Sequence, residues 1–200
     1  MKGDEFTMIS NGYNMIKWGI LISIIHIYLF GTFEIIPAFI GYFLIMRGVN
    51  MICDETGLDY MQSLKKESVR LFIFSCAYWI AGLFFGYQLA LEKMILVLFY
   101  LFDVLFFGNL LNKTIKYLKE KMRLDEADKL RKNRMTFVKA YMGLIIFYCV
   151  TMVPNLLHFL NIVSDSLINI LATILQYIFI SLMLVIKLLL SAIIQKYSIR

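Results

Sequence analysis

From Met94 to Leu111 the chain reads MILVLFYLFDVLFFGNLL, eighteen residues with a single charge among them. Wound as an α-helix at about 1.5 Å per residue, such a run matches the roughly 30 Å hydrocarbon core of a bilayer. It lacks the period-two alternation that a strand of an outer-membrane barrel would show. Comparable runs recur along the chain, and 60% hydrophobic against 17% charged residues excludes an ordinary soluble domain. The expected fold class is all-α: a polytopic transmembrane helical bundle, forming one integral membrane domain over 1–200.

Six spans are predicted, at about 15–31, 35–53, 71–88, 94–111, 140–160 and 167–186. Their orientation follows from a basic stretch, 113–139. It holds ten of the twenty Lys and Arg against four acids, an excess equal to the whole formal net charge of +6. Clustered Lys and Arg are retained on the cytoplasmic side. With both termini cytoplasmic, nineteen of the twenty basic residues lie inside and only Lys93 outside, and inverting the topology reverses that balance. The expected location is the cell membrane, multi-pass.

The first seventeen residues lack a compact basic start and an Ala-x-Ala-like cleavage site, so no cleaved signal peptide is expected. Trp18 is placed as an interfacial anchor of the first span. A tight turn is expected over 31–34, and a polar connector with at most a short surface helix over 50–70. Pro37 opens the second span, where its missing N–H costs nothing, and Pro154 should kink the fifth.

The basic stretch is expected to continue as an amphipathic helix on the inner leaflet, with Lys113, Lys116, Lys119, Lys121, Arg123, Lys129, Arg131, Lys132 and Arg134 facing anionic lipid. Acid-first pairs at four-residue spacing, Asp125 with Lys129 and Asp128 with Lys132, support the helix. Nucleic acid is not an expected partner, since no recognised motif accompanies the charge. The partners expected are the bilayer, its anionic inner-leaflet lipids, and either a second copy or another membrane subunit.

Asp103 is the least expected residue in the chain. An ionised carboxylate at the centre of a spanning helix costs about 2.5–3.5 kcal/mol, so it should be protonated, paired or wet. Two readings stand: a proton, cation or substrate site, or a single interhelical hydrogen bond holding the bundle. On the sixth span Asn169, Gln176 and Lys187 share one face, with Thr173 and Ser191 nearby. Counting from the outer loops puts Gln176 level with Asp103, so the two are expected as neighbours, with His26 a third, outer member. Lys187 is expected at the inner boundary, snorkelling to water.

Small residues at four-residue spacing, Ala77 with Ala81 and Gly82 with Gly86, would let the third span pack closely, within the bundle in preference to a dimer interface. Cys53, Cys76 and Cys149 suggest neither disulfide nor metal, and His26 and His158 have no partner spacing. No catalytic motif is present, so the expectation is no enzyme, no cofactor and no metal.

The segment GTFEIIPAFIGYFLIMRG, Gly31 to Gly48, resembles one that recurs in uncharacterised small multi-spanning membrane proteins of low-GC Gram-positive bacteria. The resemblance implies a bacterial membrane protein and carries no activity. In that pattern an acid often follows the proline, whereas Ala38 stands here. Size and span count are similar to the substrate-capturing subunits of energy-coupling-factor transporters, without the Ala-rich first span used for docking. A small transporter or transporter subunit, or alternatively a structural or regulatory partner of another membrane protein, is what the sequence leads one to expect.

Overall fold

The computed structural model describes residues 2–24, 28–29, 33–34, 38–85, 89–159 and 166–198. Over these the protein is all-α: α1 (Lys2–Ile24), α2 (Ala38–Thr56), α3 (Asp59–Phe85), α4 (Leu89–Glu120), α5 (Leu124–Phe159) and α6 (Ser166–Ser198). A two-residue antiparallel ladder, β1 (Tyr28–Leu29) with β2 (Phe33–Glu34), lies between α1 and α2 and pairs Tyr28 with Glu34 and Leu29 with Phe33. Each helix packs on the next in sequence and α6 returns to α1, so the six close into a ring. The thinnest seam is between α3 and α4.

Among the described residues two segments are long and apolar enough to cross a membrane, Met94–Glu120 and Thr173–Tyr197. The expected spans over 15–31, 35–53, 71–88 and 140–160 each include residues outside the described set. Pro37, His26 and Gly86 lie outside it, together with the side chains of Pro154 and His158.

Helix boundaries depart from the sequence expectation in three places. α1 begins at Lys2 and ends at Ile24. Tyr28–Leu29 and Phe33–Glu34 form the short ladder, in keeping with the preference of aromatic residues for extended backbone. The polar connector shrinks to Gly57 and Leu58, because Gly57 takes a left-handed φ of 60° and its N–H bonds the Cys53 carbonyl, stopping α2 abruptly. The polar residues from Asp59 to Arg70 are then the first turns of α3, which bury Met61, Leu64, Ser68 and Leu71 along one face. There Tyr60 donates to the Glu120 carboxylate at 2.9 Å, and burial together with that anion pushes its hydroxyl well above the usual range.

The third departure concerns the basic stretch, which does not run on as one surface helix. Arg123 N–H bonds the Leu118 carbonyl and Met122 N–H that of Lys119, the paired bonds of a Schellman stop, with Met122 at φ 59°. The chain reverses there, and α4 and α5 form an antiparallel hairpin whose tip carries the charge. Lys116, Lys119, Lys121, Lys129, Arg131 and Lys132 are exposed on it, while Lys113, Arg123 and Arg134 are partly buried. Arg123 grips Glu126 through two bonds, and Arg134 donates to the Gly108 carbonyl at 3.1 Å. Left-handed backbone costs an ordinary L-residue about 1–2 kcal/mol, and Met122 is 81% exposed with little packing to lose. Met122→Gly is therefore expected to raise stability by about 1 kcal/mol, read as a later unfolding midpoint in detergent. A lower midpoint would refute the stop.

The closest helix approach is between α1 and α2. A Cβ built on Gly19 would lie 2.5 Å from the Gly41 carbonyl oxygen, one on Gly41 2.5 Å from that of Gly19, and one on Gly48 2.5 Å from that of Gly12. Two pairs of glycines, each spaced by seven residues, thus set two levels of backbone contact between antiparallel helices. The small residues expected to do this work were on α3 instead. Ala77 is exposed, and the side-chain surroundings of Ala81 and Gly82 lie outside the described set.

Candidate functional site

Inside the ring, side chains from α2, α5 and α6 converge on Asp103 of α4, which is wholly buried. Tyr42 of α2 donates its hydroxyl to Oδ1 at 2.9 Å, and Tyr141 of α5 donates to Oδ2 at 2.6 Å. The Lys187 ammonium of α6 stands 3.2 Å from Oδ2 and donates to the Tyr42 hydroxyl at 3.3 Å. Each carboxylate oxygen is therefore engaged, and the charge is matched by one cation that is itself only 6% exposed.

Why these four meet follows from helix faces. On α6 the buried positions are Phe179, Met183, Lys187, Leu190, Ser191 and Ile194, a three-and-four spacing that puts Lys187 in the middle of the inward stripe. On α4 Asp103 is flanked by buried Phe99, Val104, Phe106, Phe107 and Leu110, so the charge lies among aromatic rings. Tyr42 packs edge-on against Phe99 at 5.1 Å, and Tyr141 against Phe137 at 5.5 Å, fixing both hydroxyls. Toward the N-terminal end of α4, Tyr100, Tyr148 and Phe179 form an aromatic layer, with Tyr148 and Phe179 centroids 4.5 Å apart. Toward the C-terminal end of α4, Tyr13 donates to the Thr114 hydroxyl at 2.8 Å, since that hydroxyl spends its own proton on the Leu110 carbonyl. The ion pair is thus bounded along the ring axis by aromatic rings above and a hydroxyl pair below.

The α6 residue found beside Asp103 is Lys187. Gln176 is eleven positions earlier on α6, about 16 Å along the axis. The side chains of Gln176 and Asn169, like all of His26, lie outside the described residues. Thr173 is exposed and Ser191 buried. Lys187 does not reach water as expected, being buried. Helical side chains lean toward the N-terminus of their helix, which here carries the ammonium up to the carboxylate. A signal for this was available: the apolar LLLSAII follows Lys187, so the run continues past it. Tyr42 and Tyr141 had no comparable signal, because an aromatic residue on an apolar helix reads as ordinary packing.

Fold and site together define a closed ring of helices with a satisfied ion pair at its axis. Comparison of the chain with protein-family models, with curated proteins and with solved structures gives no match.

Proposed function

We propose that this chain is a multi-pass protein of the bacterial cell membrane, six-spanning with both termini cytoplasmic, and that it works as a small transporter or transporter subunit. The observation that carries the reading is the Asp103–Lys187 pair, clasped by Tyr42 and Tyr141. Ionisable residues inside membrane bundles are expensive and mark ion, proton or substrate paths. Here one pair ties α4 to α6, with hydroxyls from α2 and α5, so any change in its charge acts on four helices at once. A proton or cation arriving at the carboxylate would displace the ammonium and loosen the ring axis, a two-state element of the kind that carriers need. Membrane embedding is supported by the apolar side chains turned outward, among them Leu98, Phe102 and Leu105 on α4 and Ile178, Leu182, Val185 and Leu189 on α6. The basic hairpin tip supplies the cytoplasmic charge and contact with anionic lipid. No catalytic role is assigned to any residue.

A structural or regulatory partner is the second reading, and one observation favours it. The carboxylate already has three donors, which is what a pure latch requires. The two separate in proteoliposomes loaded with a pH-sensitive dye under an imposed potassium diffusion potential. A carrier gives lumenal pH changes above those of empty liposomes, and the charge-free double variant Asp103→Asn with Lys187→Met abolishes them while remaining folded. Flux retained in that variant would reduce the pair to a latch. Affinity purification in mild detergent then decides the setting, with recovery beside a permease or ATPase indicating a subunit.

A further inference from the structure

At the α3–α4 seam, facing α5, lies a cavity of about 700 Å³. That is the size of a pocket for one small ligand. Its lining is sorted along the helix axes. Glu67, Arg70, Asn109 and Arg134 gather at one end, where the apolar run of α4 stops, while Phe74, Phe102, Leu105 and Met142 line the other. Phe102 and Leu105 are more than half exposed, so the apolar end opens sideways to whatever surrounds the bundle.

From the membrane reading above, on which this step rests, we infer that the groove holds one anionic phospholipid of the inner leaflet, an acyl chain along Phe102 and Leu105 and the phosphate between Arg70 and Arg134. Charge complementarity selects that occupant. Two guanidinium groups against the one carboxylate of Glu67 leave the polar end net positive, and the Asn109 amide, donating at 2.8 Å to each oxygen, fixes that carboxylate in place. Arg134 spends its Nε on the Gly108 carbonyl, so its terminal nitrogens remain to bind phosphate. Arg70 is exposed and has no ion pair among the described residues. The polar end stands at the depth where a headgroup would, because Asn109 and Asn112 close the long apolar run. A zwitterionic lipid would bring its own cation to two arginines and bind less well.

The test is native mass spectrometry of the full chain in mild detergent, titrated with phosphatidylglycerol or with phosphatidylcholine of the same acyl chains. One equivalent of phosphatidylglycerol should be retained at least about tenfold more tightly. Arg70→Gln with Arg134→Gln should remove that preference and leave phosphatidylcholine binding unchanged. Leu105→Trp, which fills the groove with both arginines intact, should weaken both lipids. Lys17→Gln with Lys196→Gln, on α1 and α6 and outside the groove, should change neither. Equal binding of the two lipids by the native chain, an equal loss from that α1–α6 variant, or no effect of Leu105→Trp would overturn the proposal. Displacement by excess inorganic phosphate would also overturn it, since the site would then take a free anion. Release of the chain from membranes by alkaline carbonate would instead remove the membrane reading itself. Retention there with no lipid preference would remove only the groove.

Discussion

Lys187→Met is expected to destabilise the fold by about 3–5 kcal/mol, the cost of leaving one member of a buried ion pair without its partner. The Asp103 carboxylate would keep its two tyrosine donors and lose the only cation within reach among the described residues, with no access to solvent. Asp103→Asn should cost a similar amount from the other side. An Asn side chain still accepts from a tyrosine, but the ammonium it abandons is itself buried. A tolerated Asn at this position is thus not what a purely structural carboxylate would give, because the charge that matters afterwards belongs to Lys187. The double variant Asp103→Asn with Lys187→Met removes both charges, and should recover most of the loss, since replacing a whole buried pair by neutral groups is often close to neutral. Unfolding midpoints in mixed detergent micelles for the native chain, both singles and the double give the cycle. Strong non-additivity is the expected result. Two small additive effects would mean that the pair is not formed.

Gly19→Ala and Gly41→Ala should each cost about 3 kcal/mol, at the upper end of the usual range for overpacking. In both, the added methyl meets a backbone carbonyl at 2.5 Å, and a carbonyl in a helix cannot swing aside as a side-chain tip can. The helices must separate, which loosens the contacts of Ile16, Ile20, Ile45 and Val49 along the same seam. Helix propensity pulls the other way, favouring Ala over Gly by about 1 kcal/mol. Gly143 on α5 isolates that opposing effect, because nothing lies within 4 Å of a Cβ built there. Gly143→Ala should be neutral or raise stability by up to about 1 kcal/mol. If all three variants shifted the midpoint alike, the close α1–α2 approach would be wrong. Tyr42 adjoins Gly41 and Ile45, so forcing α2 outward should also pull its hydroxyl from Asp103 and couple this seam to the site.

Much of the class was legible in the residues. Long apolar runs can satisfy their backbone groups in a low-dielectric surround only by winding into helices, and the all-α fold follows from that alone. Asp103 could be singled out for the same reason, since a carboxylate in such a run demands compensation. The demand names no partner. Periodicity says which face of α6 Lys187 occupies, but the height of one helix against another depends on tilt and on where each helix starts. Counting from loop charges takes equal starts for α4 and α6, and the lean of a side chain moves its contact by a further turn.

The α1–α2 glycines illustrate the same boundary. Gly12 and Gly19, then Gly41 and Gly48, repeat at a seven-residue spacing that is visible in the sequence, yet small residues at four-residue spacing on α3 looked equally suited to close packing. Only the contact decides between them, because a small residue permits close approach and does not compel it. The reversal at Met122 was less legible still. The bonds that stop α4 are backbone bonds, and Met carries no side-chain signature for a left-handed turn. Residue order alone sets that this chain makes apolar helices, where its positive charge concentrates, and that one acid in an apolar run needs an answer. That the answer is Lys187 with two tyrosines comes from packing, since matching a buried charge is a matter of a few ångströms between helices, which no periodicity along one helix encodes.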